Sequence, residues 1–344
     1  MNADIEKPPF FIVGCPRSGT TLLQVLLDNQ PSISIPPESH IFANFSSFIQ
    51  RPTDVDRPEE MHFLAQQMLG ALRIEEWGLS VSASEFCAGA PFENPAQLID
   101  RLFRLYAERE GKRRWGDKTP QHAFFINDIK SVFPEARFIH LIRDGRDVAE
   151  SYKRVFIGPQ SIYGAAKRWK NYVNALDDAK NDLDAEHYLE IRFEDLVSNP
   201  DKQLAKILAF LDEEYAPTGD GEMESHARKR YLNIGSHHGS LAKPISKAKI
   251  GVFKSAFNTR EVQIFESIAG DELSSHGYSL QTNGDARISI SEHAKFFVQD
   301  QVLRYARKFK SANGRKQLGR DLIQARQKTA RKLGHLWLRL SPGR

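Results

Sequence analysis

Near the start of the chain, one short loop constrains the fold more than any other feature. It reads Gly14-Cys15-Pro16-Arg17-Ser18-Gly19-Thr20-Thr21. The apolar residues 10–14 predict a short buried strand, and residues 21–29 predict a helix. A strand, a glycine-rich loop and a helix in this order are typical of phosphate-binding α/β proteins. A turn that merely joins a strand to a helix is the weaker interpretation of this eight-residue combination.

The chemistry of the loop suits a bound phosphate. Gly14 and Gly19 allow a tight turn that directs backbone N–H groups inward, and the following helix adds the positive end of its dipole. Arg17 supplies a positive charge. Hydroxyl donors come from the remaining polar positions, Ser18, Thr20 and Thr21. Because Thr20 stands where nucleoside triphosphatases have a lysine, we expect a terminal 5′-phosphate rather than a triphosphate.

The rest of the chain alternates strands and helices. Residues 137–142 and 187–192 predict two further strands. Helices are predicted at 59–74, 95–110, 122–133, 147–156, 162–180, 200–211 and 259–269. This alternation predicts an α/β protein with a central parallel sheet flanked by helices.

A second strand–turn–helix unit carries Arg143 at the C-terminal end of its strand and Ser151 eight residues later. Ligands of parallel sheets bind at that end of the strands, and an arginine beside a hydroxyl suits a dianionic phosphomonoester. Taken alone, the turn could equally be a surface turn that contains a salt bridge. In a parallel sheet, both units can open onto one edge.

Together, the two units resemble the cofactor-binding segments of sulfotransferases that use 3′-phosphoadenosine 5′-phosphosulfate (PAPS). The resemblance is greatest to the branch with tyrosylprotein sulfotransferases and many bacterial sulfotransferases, and it covers about residues 8–280. It implies a three-layer fold of the P-loop type. It also implies PAPS contacts in the first unit from Arg17, Ser18, Gly19, Thr20 and Thr21. In the second unit, Arg143 and Ser151 match the family's 3′-phosphate segment.

Two further matches to the family are weaker. Residues 190–200 are similar to a strand followed by a Tyr-Glu-Asp-Leu-Val segment, but Phe193 stands where the tyrosine belongs. Residues 250–254 are similar to the late loop that covers the adenine and the 3′-phosphate. Val252 stands where the family has a basic residue, so Lys254 is the candidate replacement.

Three residues are candidates for catalysis through the same resemblance. Glu38 lies 21 residues after Arg17 and matches the catalytic base of the branch; it could instead be a carboxylate at a helix N-terminus. His40 stands where the branch has an arginine, and it could assist, bind the acceptor or act as the base itself. Lys118 matches a lysine that neutralises charge on the leaving phosphate, although it could be a solvated loop residue.

The function that we expect is metal-independent, in-line transfer of a sulfuryl group from PAPS to an acceptor hydroxyl. The acceptor class is a small molecule, a carbohydrate or a glycolipid, and we see no spacing typical of metal ligands. Two alternatives stay open. A P-loop kinase of small molecules is disfavoured by the missing lysine, and a non-catalytic nucleotide- or membrane-binding protein predicts binding without turnover.

The charge of the chain is uneven, although its formal net charge is only +4. Residues 295–344 contain 14 Lys or Arg and two acidic residues. Helices are predicted over about 292–310 and 316–340, the second with an apolar stripe. We therefore divide the chain into a sulfotransferase domain, 1–284, and a basic extension, 285–344. The extension could lie on an anionic membrane through 292–340, or it could dock on the body with its basic face solvated.

Composition bears on the setting of the protein. The two cysteines provide no disulfide framework, and the early apolar run, residues 10–13, is too short for a signal or a membrane span. We therefore expect a cytoplasmic protein that could contact the inner face of the membrane. No sequence feature predicts specific binding of nucleic acid.

Overall fold

A single parallel sheet forms the centre of the protein. The computed structural model describes residues 7–50, 57–88, 92–155, 158–217 and 245–303. Within these ranges the strands are β1 (Phe10–Val13), β2 (Ile33–Ser34), β3 (Arg114–Lys118), β4 (Arg137–Ile142) and β5 (Tyr188–Arg192). Their order is β2-β3-β1-β4-β5, and every pairing is parallel. The C-terminal ends of the strands therefore meet at one edge of the sheet.

Helices connect and cover the strands. In chain order they are α1 (Thr20–Asp28), α2 (Ile41–Ile49), α3 (Arg57–Leu69), α4 (Leu72–Glu75), α5 (Ala83–Cys87), α6 (Pro95–Arg109), α7 (Ile126–Val132), α8 (Gly145–Lys153), α9 (Ile162–Asn181), α10 (Phe193–Ser198), α11 (Pro200–Phe210), α12 (Phe253–Ala256), α13 (Thr259–Ser275) and α14 (Ile290–Phe297). There are 3₁₀ turns at Pro120–Phe124 and Lys247–Lys249, and a π-helical turn at Val298–Leu303.

The central strand β1 is buried on both faces and separates two hydrophobic cores. Because side chains alternate along a strand, Phe11 and Val13 lie in the larger core, whereas Phe10 and Ile12 lie in the smaller one. Residues from α2, α6, α8, α9 and α13 contribute to the larger core. Residues from α1, α10 and α11 contribute to the smaller core. The predicted fold, a central parallel sheet flanked by helices, is therefore confirmed.

Several elements differ from the sequence prediction. The helix expected over 59–74 is interrupted, with α3 ending at Leu69 and α4 beginning at Leu72. Strand β3 carried no periodic signal, because its sequence Arg-Trp-Gly-Asp-Lys contains a single large apolar residue. All five residues are nevertheless buried. Polar contacts at the candidate site compensate for the burial of the last two side chains of β3, Asp117 and Lys118.

The C-terminal region is fastened to the start of α9. The carboxylate of Asp300 accepts hydrogen bonds from the backbone N–H groups of Gln160 and Ser161, at 2.6 and 2.8 Å. The helix expected over 292–310 begins at Ile290, while its last part and the helix expected over 316–340 lie outside the described residues. In the ranges that the structure describes, no helix is both long enough and apolar enough to cross a membrane.

Candidate active site

The glycine-bounded loop forms a tight turn at the C-terminal edge of the sheet. Gly14 and Gly19 have φ angles of 149° and 99°. A Cβ atom on Gly14 would lie 2.5 Å from the carbonyl oxygen of Leu141, so the approach of β4 requires a glycine there. Gly19 is the N-cap residue of α1 and has no side chain with which to cap the first turn of that helix. The free N–H groups of this turn are suited to an anion.

Two side chains add further donors to the loop. The Ser18 side chain is buried, and its hydroxyl has no hydrogen-bond partner within the described part of the chain. Arg17 adopts a left-handed φ of 79°, which is strained for a residue with a side chain. Its Nε donates to the Ser151 hydroxyl at 3.0 Å. The structure therefore brings together residues of both predicted phosphate-binding motifs.

Arg143 connects the first motif to the late loop. Its Nη1 donates to the carbonyl oxygen of Arg17 at 3.2 Å, and its Nη2 donates to that of Lys249 at 2.5 Å. The guanidinium lies 4.4 Å from the centre of the Phe193 ring, a cation–π contact. Phe193, which stands in place of the family's tyrosine, thus retains a packing role. The Nε of Arg143 is buried, and nothing in the described ranges pairs with it.

The carboxylate of Asp147 holds the late loop against α8. Its two oxygens accept hydrogen bonds from the backbone N–H groups of Gly251 and Phe253, at 2.7 and 2.9 Å. Lys254, predicted to contact the cofactor, is exposed. Within the described ranges, no hydrogen bond or ion pair joins it to Arg143. The structure thus brings the backbone of this loop to the cluster but leaves the Lys254 side chain outside it.

Positive charge is concentrated where the two motifs meet. Burial lowers the pKa of the guanidinium groups of Arg17 and Arg143. The positive charge of Arg143 also lowers the pKa of Arg17. Two cations held close together in a buried position are complementary to a ligand with more than one negative charge.

The three candidate catalytic residues lie together at the end of β3. Lys118 is almost wholly buried, with 1% of its side chain exposed, and its Nζ donates to Oε1 of Glu38 at 2.5 Å. The same Nζ lies 3.4 Å from the hydroxyl of Thr21, in the first turn of α1. Nε2 of His40 lies 3.2 Å from Oε2 of Glu38. A carboxylate, a cation and an imidazole therefore adjoin the phosphate loop.

The segment that carries Glu38 is fixed through its backbone. The side-chain amide of Gln24 donates to the carbonyl oxygen of Pro36, and the indole N–H of Trp77 donates to that of Pro37, each at 2.8 Å. The hydroxyl of Thr119 accepts a hydrogen bond from the Ser39 N–H at 3.1 Å. Contacts from three separate parts of the chain thus hold the backbone around Glu38 in place, as an active site requires.

Asp117 is a part of the site to which the sequence prediction assigned no role. It is buried and accepts hydrogen bonds from the hydroxyl groups of Ser39 and Thr119, the latter at 2.9 Å. Burial raises the pKa of Asp117 to about 6. Nδ1 of His122 lies 3.3 Å from its carboxylate, and burial lowers the pKa of His122 to about 3. The histidine is therefore neutral near pH 7.

A separate titratable cluster connects α9, β5 and the end of α13. Its members, Asp177, Glu190 and His276, place one ligand atom each within 4.8 Å of one another. Both ring nitrogens of His276 face carboxylates, Asp177 at 3.1 Å and Glu190 at 3.3 Å. Burial lowers the pKa of His276, but the two carboxylates outweigh burial and raise it to about 9. The cluster is therefore an imidazolium between two carboxylates near pH 7.

With this geometry established, comparison with known proteins identifies the family. A model of the sulfotransferase family matches residues 8–217, which is more than half of the chain. The chain belongs to the sulfotransferase family. The predicted family and enzyme class are therefore confirmed, and the kinase alternative is not favoured.

Several curated proteins share about a quarter of their residues with this chain over the matched regions. Nodulation protein NoeE of Sinorhizobium fredii is 27% identical over 314 residues, which cover 84% of this chain and 71% of NoeE. The sulfotransferase Stf3 of Mycobacterium tuberculosis, named for omega-hydroxy-beta-dihydromenaquinone-9, is 25% identical over 68% of each chain. A protein-tyrosine sulfotransferase of Drosophila melanogaster is 25% identical, over 60% of this chain and 38% of its own length.

Solved structures agree with the family assignment at the level of the fold. The sulfotransferase domain from the curacin biosynthetic pathway has a TM-score of 0.53 at 20% identity, and the match covers 80% of this chain and 99% of that domain. The sulfotransferase domain of the Synechococcus olefin synthase has a TM-score of 0.51 at 25% identity, over 78% and 98% of the two chains.

Proposed function

We propose that this sulfotransferase transfers a sulfuryl group from PAPS to the hydroxyl of an acceptor, with Glu38 as the base. The observation that carries the proposal is the contact of Lys118 with both Glu38 and Thr21. Through this contact, a carboxylate that can accept a proton lies next to a cation, and that cation lies beside the phosphate loop.

Unpartnered donors support PAPS as the sulfuryl donor. The uncapped first turn of α1 and the buried hydroxyl of Ser18 fit the 5′ side of the nucleotide. The unpartnered Nε of Arg143, together with the hydroxyl of Ser151 that Arg17 contacts, fits a 3′-phosphate. We assign the remaining loop contacts to Arg17, Gly19 and Thr20. The exposed position of Lys254 gives less support to a contact with the cofactor.

The proposed mechanism uses charge and position rather than covalent chemistry. PAPS, when bound, supplies the sulfuryl group and an anionic leaving group. Glu38 accepts the proton of the acceptor hydroxyl as that oxygen attacks. His40, beside Glu38, orients the carboxylate and ranks second as base. Lys118 has three N–H donors, so it can keep its contacts with Glu38 and Thr21 while stabilising negative charge on the leaving phosphate.

Calorimetric titration with 3′,5′-adenosine bisphosphate, the product left by PAPS, tests the cofactor site. We expect binding that does not require Mg²⁺. Arg143→Ala should weaken it by roughly 10- to 100-fold, because charge-assisted hydrogen bonds are worth about 1.5–3 kcal/mol. Arg113→Ala, which removes an exposed arginine that precedes β3, is the matched control. Binding of Mg-ATP alone would contradict the proposal and favour a kinase.

Turnover of PAPS by Glu38→Gln tests the base. Loss of a general base lowers kcat by roughly 10²- to 10⁴-fold, whereas the affinity for the bisphosphate should stay unchanged. Glu135→Gln alters a carboxylate whose side chain is 78% exposed, and it serves as the control. If Glu38→Gln retained full kcat, the role of base would pass to His40, and His40→Asn would be the next variant.

We also propose that the basic extension contacts an anionic membrane through residues 292–340. Ile290, Phe297 and Val302 are 90%, 66% and 55% exposed, a concentration of apolar surface at the start of this region. Thirteen Lys or Arg follow within residues 304–344. Apolar surface next to positive charge is typical of proteins that bind anionic lipid. The acceptors in the names of the relatives, protein tyrosine and omega-hydroxy-beta-dihydromenaquinone-9, belong to different classes, so they indicate no single acceptor for this chain.

A further inference from the structure

A small cavity lies at the N-terminal edge of the sheet, opposite the candidate active site. It has a volume of about 180 Å³, and its lining includes Lys7, Ser32 and Arg113, which lie just before β1, β2 and β3 respectively. Arg114, which begins β3, also lines the cavity, whereas Lys118 ends that strand. With a rise of about 3.3 Å per residue, the two strand ends lie about 13 Å apart. The cavity is therefore distinct from the site that contains Lys118.

Positive charge exceeds negative charge in this cavity. Its lining includes the cationic side chains of Lys7, Arg104, Arg113 and Arg114. Glu213 also lines the cavity, and its Oε1 lies 2.9 Å from Nζ of Lys7 and 3.4 Å from Nη1 of Arg114. Oδ2 of Asp100 lies 2.6 Å from Nε of Arg104. Among these described residues, four cations are opposed by two carboxylates, which leaves an excess of two positive charges.

The surroundings of the cavity do not cancel this excess. Asp212, the residue before Glu213, pairs with Arg137 at 2.5 Å, so these two charges offset each other. Burial lowers the pKa of the Arg114 guanidinium; the charge of Glu213 opposes this effect, and the charge of Arg137 adds to it. The protein therefore compensates the buried positive charge of Arg114 only in part.

Several N–H groups of the lining are free to bind a ligand. Arg104 donates to Asp100 through Nε, while its two terminal nitrogens have no hydrogen-bond partner in the described part of the chain. The exposed side chain of Arg113 has neither an ion pair nor a hydrogen bond within the same ranges. Nζ of Lys7 makes two hydrogen bonds, which leaves one of its three N–H groups.

Other contacts hold the wall of the cavity in place. Nη1 and Nη2 of Arg114 donate to the carbonyl oxygens of Leu211 and Pro8, at 2.5 and 2.8 Å. The Ser32 hydroxyl donates to the carboxylate of Glu213 at 2.7 Å. A wall that is already ordered lowers the cost of binding a ligand.

The size and the donors of the cavity indicate a small anion. Sites that enclose a drug-sized molecule have volumes of about 300–1,000 Å³, so this cavity is too small for a whole nucleotide. Guanidinium groups bind the oxygens of phosphate through paired N–H donors, and a lysine adds a point charge. We propose that the cavity binds a tetrahedral oxyanion with two negative charges, either free phosphate or sulfate or the phosphate group of a small phosphomonoester. This anion site goes beyond the proposed function, which requires no ligand at this edge of the sheet.

Equilibrium dialysis with radiolabelled phosphate tests the proposal. Because the proposed cofactor site would also accept phosphate, that site is first saturated with 3′,5′-adenosine bisphosphate. Sodium chloride keeps the ionic strength constant, and at about pH 8 phosphate carries mostly two negative charges. We expect one bound phosphate per chain. Absence of bound phosphate, or its displacement by an equal concentration of chloride, would overturn the proposal.

Variants of the lining assign the bound phosphate to this cavity. Arg113→Gln removes an exposed, unpaired charge and should weaken phosphate binding by roughly 3- to 5-fold, since exposed ion pairs are weak. Its combination with Arg104→Gln should weaken binding by roughly 10-fold or more. Arg101→Gln is the matched control, because Arg101 also lies in α6 but pairs with Glu108 outside the lining. Equal phosphate affinity in the double variant and in Arg101→Gln would overturn the proposal.

Competition with unlabelled anions identifies the source of the oxyanion. Displacement of the label by glycerol 3-phosphate at a lower concentration than by phosphate would identify a phosphomonoester, and the reverse order would identify a free ion. Retention of the label with both sulfate and glycerol 3-phosphate would contradict a site defined by tetrahedral shape and charge. The lining variants should keep their affinity for the bisphosphate, because the cavity is too small for a nucleotide.

Discussion

At the scale of single residues, the last two side chains of β3 contact the segment that carries Glu38 from opposite faces of the strand. Lys118 contacts Glu38, and the preceding Asp117 contacts Ser39. Neighbouring side chains of a strand point to opposite faces, so one strand end engages two successive residues of the segment. Asp117 therefore acts as a positioning residue for Glu38.

Asp117→Asn should lower the activity of the protein and raise its stability at neutral pH. We expect kcat to fall by roughly tenfold, because small errors of position are costly in catalysis, while bisphosphate affinity is unchanged. The pKa of Asp117 is raised from 3.8 to about 6. The native state therefore loses stability relative to the variant as the pH rises from about 4 through 6. The loss approaches about 3 kcal/mol at pH 7, and urea unfolding at pH 4 and pH 7 measures it.

The control for this pair of measurements is Asp182→Asn, which changes an exposed carboxylate after α9. It should alter neither kcat nor the pH dependence of unfolding. Equal pH dependence in Asp117→Asn and the wild type would contradict the assignment of the raised pKa. An unchanged kcat would contradict the positioning role.

Local sequence predicted only part of the site. Arg17, Ser18, Arg143 and Ser151 lie in compact motifs that also resemble a known family, so they could be recognised. The partners of Asp117 and Lys118, by contrast, are 78 to 80 residues distant along the chain. Such contacts are determined by strand order and tertiary packing, which residue spacing does not encode.

At the scale of secondary-structure elements, the His276 cluster joins α9, β5 and the end of α13. The pKa of His276 is raised from 6.5 to about 9. The ion pairs of the protonated imidazole therefore stabilise the fold fully below about pH 6.5, and this stabilisation is lost as the pH rises through 9. His276→Gln should lower the free energy of unfolding at pH 7 by about 2 kcal/mol, a value reduced for solvent screening because Asp177 is part-exposed.

Urea unfolding of the His276→Gln variant at pH 7 and pH 10 measures this effect. The difference from the wild type should shrink at the higher pH, where the wild-type imidazole is neutral. His187→Gln, beside the exposed carboxylate of Glu135, should cause little change at either pH. A difference that stayed constant with pH would show that packing, rather than charge, stabilises this junction.

The elements that were predictable from sequence are those with an uninterrupted pattern. Strands β1 and β4 are apolar runs, and α6 and α9 carry long periodic stripes, so their bounds agree with the prediction to within about one residue. Strand β2 has two residues, and β3 has polar residues at buried positions, so neither carries an apolar pattern. Their partners in the sheet, and not their own sequences, make them strands.

At the scale of the whole molecule, the basic extension follows an exposed apolar surface. We expect the full chain to sediment with vesicles of anionic lipid, and less so in high salt, because the attraction is electrostatic. A chain ending at Leu303 retains α14 but lacks the 13 basic residues that follow, and it should remain in the supernatant. Vesicles of zwitterionic lipid are the control. Equal sedimentation of the two chains would contradict the membrane proposal.

The carboxylate of Asp300 also has a consequence for the order in which the protein matures. It binds the N–H groups of Gln160 and Ser161, about 140 residues earlier in the chain. During synthesis, those groups leave the ribosome long before their partner exists. The start of α9 therefore gains these two contacts only after about 140 further residues have been made.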